Sequence, residues 1–167
     1  LRADPPVGRR ALVVGCGRGP EARLLARLGA HVTAIDVAEA AIAEARRLAA
    51  AEPDPLPVDF RLADLFDLRG RPPAYDLVVE HTCFCAIDPA RRDDYVDAVA
   101  DALAPGGALL GLFYAHGRPG GPPFTTDEAE LRRRFAPRFA VEHLAPARGS
   151  ALARAGDELL ARLRRLP

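Results

Sequence analysis

Three glycines at alternate positions follow a short apolar run in the stretch Ala11-Leu-Val-Val-Gly-Cys-Gly-Arg-Gly-Pro20. A helical pattern comes next, and a second apolar run then ends in Asp36. A strand, a glycine loop, a helix and a strand with a terminal acid, in this order, are typical of a nucleotide-binding βαβ unit. Glycine suits the loop because the backbone turns sharply there and a Cβ would block a ligand lying against it. The stretch therefore predicts a parallel α/β sheet with a ligand at this loop.

The residue after the third glycine bears on which ligand this is. A dinucleotide-binding loop has glycine at its sixth position, where helix and strand pack closely. Here that position is Pro20, which suits the first turn of a helix. The spacing of Gly15, Gly17 and Gly19 favours S-adenosylmethionine, which has a ribose for Asp36 but no pyrophosphate for the helix N-terminus. A tight strand-to-helix turn without a ligand remains the alternative.

Composition limits the classes of protein that this chain can be. Its 167 residues suffice for one domain with a real core but not for two. Lys+Arg and Asp+Glu both number 23, so no net charge attracts nucleic acid or an anionic membrane. No apolar run is long enough to span a bilayer, and no signal peptide is visible. We expect a single domain over residues 1–167, a cytoplasmic monomer that acts on a small molecule.

The cysteines point away from disulfides and metals. Cys16, Cys83 and Cys85 are odd in number and lie in apolar segments, which is unlike a disulfide framework and fits a reducing compartment. His81 stands close to two of them, but three ligands without a second Cys/His cluster make a poor zinc site. We expect no metal, and interpret the cysteines as small buried side chains.

Apolar periodicity and breaker residues predict strands and helices in alternation. Strands are predicted at 10–14, 32–35, 58–62, 75–80, 108–114 and 139–144, and helices at 20–28, 37–51, 88–103 and 126–135. Asp88 is expected to cap the third helix, and Thr125 or Thr126 the fourth. The alternation predicts a Rossmann-like α/β fold with a mostly parallel sheet and helices on both faces.

Polar residues stand where the predicted strands end, which is where ligands bind in open α/β sheets. They are Asp36, Asp64, Glu80, His81, Tyr114 and His116. We expect Asp64 to accept a hydrogen bond from an adenine amino group and the backbone of Leu65 to donate one to a ring nitrogen. The alternative for Asp64 is a simple turn cap.

The segment Glu80-His-Thr-Cys-Phe-Cys-Ala-Ile-Asp-Pro-Ala-Arg-Arg92 is more distinctive than the glycine loop. Together with 12–19, Ala-Ile-Asp at 34–36 and Leu-Ala-Pro-Gly-Gly at 103–107, it resembles the class I S-adenosylmethionine-dependent methyltransferases, and among them the thiopurine, thiol and halide methyltransferase family. The resemblance implies about seven strands with the last antiparallel. We therefore interpret the tail at 157–166 as a strand, although its composition also suits a helix.

The resemblance also implies roles for individual residues. The loop Gly15–Gly19, with Cys16, would hold the methionine part of the cofactor, Asp36 with Val37 the ribose, and Asp64 with Leu65 the adenine. Glu80 would lie beside the methionine end through its backbone. The expected acceptor pocket comprises His81, Phe84, Cys85, Arg92 and Tyr114.

The implied reaction is methyl transfer to a small soft nucleophile: a thiol, a thiopurine, a halide ion, or a selenium or tellurium species. It needs few catalytic groups, because the sulfonium methyl is already activated and alignment supplies much of the rate. His81 is a candidate base or acceptor-orienting group, or else a structural hydrogen bonder at a strand end. Arg92 would bind an anionic acceptor or only form a salt bridge. Family members usually carry an N-terminal lid, and we expect this chain to lack it.

Two other interpretations stay open on the residues alone. An NAD(P)-dependent oxidoreductase could use the same first βαβ unit, although Pro20 and the short chain argue against it. A non-catalytic S-adenosylmethionine-binding module would keep Gly15, Gly17 and Asp36 but lack an open acceptor pocket. Methylation of nucleic acid or protein is disfavoured by the balanced charge.

Overall fold

The computed structural model describes residues 5–54 and 56–167. One sheet contains seven strands: β1 (Arg10–Val14), β2 (His31–Asp36), β3 (Val58–Leu62), β4 (Tyr75–His81), β5 (Leu103–Tyr114), β6 (Phe139–Pro146) and β7 (Glu158–Arg165). The strand order is β3-β2-β1-β4-β5-β7-β6. The first five strands are parallel, and β7 is antiparallel to both β5 and β6. The predicted sheet is confirmed, including the strand in the tail.

Within the described ranges, four helices connect these strands: α1 (Pro20–Arg27), α2 (Glu39–Ala50), α3 (Arg92–Ala102) and α4 (Glu128–Phe135). Short 3-10 turns lie at Leu65–Leu68, Phe84–Ala86, Pro89–Arg91 and Leu152–Arg154. Helix α1 starts at Pro20, directly after a left-handed glycine, and the chain reverses after it at Gly29, whose φ is +89°. No helix among the described residues is long and apolar enough to cross a membrane.

The sheet separates two apolar cores. Because side chains alternate along a strand, β1 sends Ala11 and Val13 to the core under α1 and α2. It sends Leu12 and Val14 to the core under α3 and α4. This burial of both faces explains why β1 and β4 read as nearly continuous apolar runs.

The second core is rich in aromatic rings. The ring of Phe84 packs edge-on against those of Tyr95 and Phe113, at centroid distances of 5.2 and 5.4 Å. Phe135 of α4 joins the same cluster and contacts Phe139 at the start of β6. These contacts fix the positions of α3 and α4 against β5 and β6.

Two predicted boundaries differ from the structure by more than two residues. Asp88 caps the 3-10 turn Pro89–Arg91 through the N–H of Ala90, and α3 begins only after that turn. Strand β5 begins at Leu103 rather than Ala108, because the backbone already pairs with Tyr75 before a register shift. The helix therefore ends at Ala102, and the glycine and proline residues at 105–107 lie at the shift instead of forming a separate break.

The cap of α4 also differs from the prediction. Asp127 caps this helix by accepting the N–H of Glu130 at 2.6 Å. Thr126 is buried, and its hydroxyl donates to the carboxylate of Glu130 at 2.7 Å. The threonine predicted as the cap thus holds a side chain of the first turn.

Candidate functional site

The glycine loop joins β1 to α1 and holds three residues in the left-handed region. Gly15, Gly17 and Gly19 have φ of +57°, +52° and +71°. A Cβ on Gly15 would lie 2.7 Å from the sulfur of Cys83, and one on Gly19 would lie 2.6 Å from the ring of Phe60. A Cβ on Gly17 would meet nothing within 4 Å. Two glycines are thus required by the packing of the protein itself, and Gly17 leaves a space that a ligand could fill.

Asp36 ties the end of β2 to this loop. One carboxylate oxygen accepts the N–H of Gly17 at 2.8 Å, and the other accepts the N–H of Ala38 at 2.9 Å. Each oxygen keeps a further lone pair for another donor. The acid therefore shapes the loop and can still accept hydrogen bonds from a diol.

A cleft of about 350 Å³ opens beside Asp36, at the carboxyl ends of the parallel strands. Its lining comprises Gly15, Ile35, Asp36, Val37, Ala63, Asp64, Leu65, Phe66, Thr82, Cys83, Ala86 and Ile87. The volume lies in the range of small-molecule sites, and a mostly apolar wall with a few acids suits an adenosine. The residues present at this cleft fit S-adenosylmethionine.

Asp64 and Leu65 lie on the far wall of the cleft. One carboxylate oxygen of Asp64 accepts the N–H of Phe66 at 2.9 Å and so caps the 3-10 turn Leu65–Leu68. This oxygen therefore serves as a turn cap, which is the alternative role considered for Asp64. The residue also lines the cleft. Leu65 is buried in the turn that Asp64 begins.

Glu80 has a buried side chain, which the sequence did not indicate. Its carboxylate accepts the N–H groups of Cys83 at 3.0 Å and Phe84 at 2.9 Å, and the hydroxyl of Tyr95 at 2.9 Å. Burial raises the pKa of Glu80 to about 7, and these hydrogen bonds oppose the rise. No local signal links Glu80 to Tyr95, since the pairing depends on how α3 packs on the sheet.

Thr82, two residues later, has φ +60° and is the one non-glycine residue with positive φ in the described part of the chain. This region is unfavourable for a β-branched residue, and such strain concentrates at functional sites. Thr82 and Cys83 form the wall of the cleft that faces the glycine loop.

His81 points to the opposite face of the sheet from Glu80. Its Nδ1 atom lies 2.6 Å from a carboxylate oxygen of Glu21, in the first turn of α1. The hydrogen bond to Glu21 raises the pKa of His81, and the same bond holds the pKa of Glu21 down against the opposing effect of burial. A carboxylate can only accept, so Nδ1 carries the hydrogen and Nε2 is left to face other groups. The His81 side chain is 39% exposed.

An apolar cleft of about 180 Å³ lies beside this pair, on the α1 face of β4, β5 and β7. Apart from Glu21, Glu80 and His81, its lining consists of Leu24, Leu25, Val79, Leu110, Gly111, Leu112 and Leu160. His81 thus stands at the edge of an apolar space close to the cofactor cleft, since Thr82 follows it directly.

Three residues expected in an acceptor pocket are buried elsewhere. Arg92 is 2% exposed; it donates to the Glu130 carboxylate at 2.8 Å, and its guanidinium lies 4.5 Å over the ring of Phe84. Phe84 belongs to the aromatic cluster. The Cys85 thiol donates to the carbonyl of Thr82 at 3.0 Å. The 3-10 turn Phe84–Ala86 and the packing of α3 turn these side chains inward, so Arg92, Phe84 and Cys85 line neither cleft.

Tyr114, at the end of β5, is partly exposed and lies in a polar cluster. Arg118 donates to its hydroxyl at 2.7 Å, and the guanidinium of Arg154 lies 5.1 Å from the centre of its ring. The ring of His116 packs against it at a tilt of 47°, with the ring centres 4.6 Å apart, and Arg118 also pairs with Asp157 at 3.2 Å. Neither arginine is predicted to lie here from the sequence, because both come from connecting segments whose paths no local pattern specifies.

The three cysteines are free and buried. Burial raises the pKa of Cys16 to about 12, and that of Cys83 rises well above its usual value for the same reason. Both sulfurs therefore remain thiols at neutral pH and act as compact apolar groups.

The fold and the glycine-loop cleft define a class I S-adenosylmethionine-dependent methyltransferase. The chain belongs to the thiopurine S-methyltransferase family, whose model matches residues 2–157. The cofactor of this class is S-adenosylmethionine, as predicted, and the oxidoreductase alternative finds no support.

Individual relatives carry different names. The chain is 32% identical over 133 residues to thiocyanate methyltransferase 1 of Arabidopsis thaliana, covering 79% of this chain and 58% of the relative. It is 45% identical over 137 residues to a ubiquinone biosynthesis O-methyltransferase of Methylocella silvestris, covering 82% and 46%. The chain thus spans about half the length of these relatives. The N-methyltransferase NodS of Bradyrhizobium japonicum, solved with S-adenosyl-L-homocysteine, shares the fold at a TM-score of 0.75 and 20% identity, covering 95% of this chain and 79% of that one.

Proposed function

We propose that the protein transfers the methyl group of S-adenosylmethionine to a small soft nucleophile, with the sulfur of a thiol or of thiocyanate as the preferred class. The observation that carries this proposal is the family match across residues 2–157. The cleft between the glycine loop and the turn after β4 supports it, because its walls suit an adenosine.

We assign the cofactor to this cleft residue by residue. The open space at Gly17 would take the methionine part, with Gly15, Cys16 and Gly19 shaping the loop around it. Asp36 would accept from the ribose hydroxyls, with Val37 beside it. Asp64 and Leu65 would contact the adenine from the far wall. Glu80 would act from beneath the cleft, since its side chain is buried.

The cofactor supplies, when bound, a methyl group on a cationic sulfur that departs as a neutral thioether. The protein then has to align the acceptor with that methyl carbon and exclude water. His81 is our candidate for receiving the acceptor's proton at Nε2, because Glu21 holds its Nδ1–H and so fixes ring and tautomer. A thiol with a pKa near its usual value of about 8.5 is mostly protonated at neutral pH, so a nearby base increases its reactive fraction.

We place the acceptor at the edge formed by β4 and β5, with His81 and Tyr114 as the residues closest to it. The apolar cleft beside His81 would favour an uncharged or weakly hydrated acceptor over a polar one. The balanced charge of the chain supports a small-molecule acceptor rather than nucleic acid, and a cytoplasmic monomer is our working expectation.

Radiolabel transfer from S-adenosylmethionine tests the proposal. Thiocyanate, hydrosulfide, iodide and an aromatic thiol are compared as acceptors at a limiting concentration of S-adenosylmethionine, with D36N as the impaired control. Transfer to any of these by the wild type, and much slower transfer by D36N, supports the proposal. Calorimetric titration with S-adenosyl-L-homocysteine and with NADH runs in parallel. Binding of NADH alone would exclude a methyltransferase.

A second candidate function is O-methylation, favoured by the 45% identity to the ubiquinone-pathway relative. A catechol in the same acceptor panel separates the two functions. Transfer to the catechol without transfer to the sulfur and halide acceptors would replace soft-nucleophile methylation with O-methylation, while leaving the cofactor assignment intact.

A further inference from the structure

Glu80 and Tyr95 form a buried hydrogen-bond network directly beneath the cofactor cleft. The Glu80 side chain is 1% exposed and leaves the sheet on the face that carries α3. Its two oxygens receive three donors: the N–H groups of Cys83 and Phe84 and the hydroxyl of Tyr95. This arrangement suits a carboxylate, because that group only accepts hydrogen bonds.

The network encloses the strained residue. Glu80 precedes Thr82, and the two N–H groups that it binds directly follow Thr82. The Glu80 side chain therefore closes a hydrogen-bonded loop around Thr82, whose φ is +60°. This conformation is unfavourable for a β-branched residue, so the hydrogen bonds to Glu80 are needed to maintain the turn.

The shape of this turn controls the width of the cleft. Thr82 and Cys83 line it on one side, and the glycine loop and Asp36 line it on the other. The sulfur of Cys83 already lies 2.7 Å from where a Cβ of Gly15 would be. Because the two walls are in contact, a displacement of the turn changes the distance between the groups that would hold the two ends of the cofactor.

We infer that Glu80 and Tyr95 are positioning residues that fix the geometry of the cofactor cleft by holding Thr82, at the start of the turn that continues through Cys83, in its left-handed conformation. This inference rests on the proposed assignment of that cleft to S-adenosylmethionine. Neither side chain has to touch the cofactor, since both act through the turn.

Tyr95→Phe is the first test, because it removes one donor to Glu80 and leaves the ring in the core. Tyr75→Phe, at the opposite end of β4, is the matched control. We expect Y95F to raise the Kd for S-adenosyl-L-homocysteine about tenfold, the usual cost of one hydrogen bond to a charged group, and Y75F to leave it unchanged. The KM for S-adenosylmethionine should rise in parallel while the KM for the acceptor stays constant. Titrations are made well below each melting temperature.

Glu80→Gln is the stronger test, because an amide presents an N–H group to one of the backbone donors. Thr82→Gly supplies a rescue, since glycine adopts positive φ without strain. The double variant E80Q/T82G should bind S-adenosyl-L-homocysteine more tightly than E80Q alone. A loss of general stability cannot produce the selective rise in the cofactor KM. If E80Q does not fold, the comparison of the Kd values of Y95F and Y75F decides the question.

If the wild type binds S-adenosyl-L-homocysteine and Y95F binds it equally well, the positioning role is overturned. The proposed function would still stand. A failure of rescue in a folded E80Q background would also overturn the positioning role. Wild type that does not bind S-adenosyl-L-homocysteine would instead remove the proposed function, on which the inference rests.

Discussion

The Nδ1 atom of His81 lies 2.6 Å from Oε1 of Glu21, although 60 positions separate the two residues. The parallel pairing of β1 with β4 explains this closeness, because Val14 is in register with Glu80. The end of β4 therefore meets the first turn of the helix that follows β1. The pair joins the glycine loop to the strand end where we place the acceptor.

Glu21→Gln should shift the pH dependence of catalysis. The Glu21 carboxylate raises the pKa of His81, so the neutral base forms only as the pH rises through a value above 6.5. Without that charge, burial lowers the pKa, and the rising limb of kcat/KM should move to lower pH. NMR titration of the His81 ring measures the same shift, with Glu39→Gln at the start of α2 as the control. An unchanged His81 titration in E21Q would contradict the coupling.

Asp36→Asn should weaken cofactor binding much more than it weakens the fold. An asparagine offers one oxygen where the carboxylate offers two, so the N–H of Gly17 or Ala38 loses its partner. The ribose would also lose a charged acceptor, and we expect the Kd for S-adenosyl-L-homocysteine to rise about 10- to 100-fold by calorimetry. Asp59→Asn, in β3, is the control, and equal affinities of the two variants would exclude Asp36 as a ligand.

Gly17→Ala and Gly19→Ala should separate binding from stability. The alanine at position 19 would collide with the Phe60 ring and also carry a positive φ, costing about 2–4 kcal/mol of unfolding free energy. The alanine at position 17 meets open space, so only the backbone strain of about 1–2 kcal/mol remains. Urea denaturation measures these costs. G17A should lose S-adenosyl-L-homocysteine binding although it stays folded; normal binding by G17A would show that the ligand does not use this space.

Arg92→Met should destabilise the protein without changing its choice of acceptor. The variant deletes a buried ion pair with Glu130 and the contact with Phe84, which we expect to cost about 2–4 kcal/mol. Chemical denaturation measures this loss. The KM for the acceptor should stay within about twofold of the wild-type value, because Arg92 lies outside both clefts and its substitution leaves the ligand contacts intact. A large rise in that KM with little loss of stability would return Arg92 to the acceptor pocket.

Stability should fall as the pH rises from about 5 to about 8, and Glu80 should account for much of the slope. Its pKa of about 7 in the folded protein exceeds the usual 4.5. Folding therefore favours the protonated acid: that stability is fully present below pH 4.5 and is lost as the pH rises through 7, by about 3 kcal/mol. His81 contributes a loss of the same sign. Urea denaturation at several pH values should give a flatter profile for E80Q, and an equal slope would refute this contribution.

Elements determined by local chemistry could be predicted from the sequence. The glycine loop, the strand before it and the acid at the end of β2 are encoded within about thirty residues, the length of one βαβ unit. Strand β7 needed the family resemblance as well, because its composition also suits a helix. The predicted cap of α4 is wrong because Thr125, Thr126 and Asp127 are consecutive and all are good caps.

Elements determined by long-range packing could not be predicted. The partnerships of Glu80 with Tyr95 and of His81 with Glu21 depend on which helix covers which face. Arg92 and Phe84 stand in a segment rich in reactive side chains, yet their backbone geometry turns them into the core. The motif at 80–92 therefore did not give the direction of each side chain.

The alternation of side chains between the two faces of β4 determines which mutations such an enzyme can accept. Glu80 serves the cleft from one face of the sheet, while His81 stands beside the apolar space on the other. Substitutions among the leucines of the α1 face could remodel acceptor choice without disturbing the cofactor side. A one-residue deletion within β4 would exchange the two faces and damage both functions at once. Directed evolution of new acceptors should therefore accept substitutions on one side of this strand and reject every change in its length.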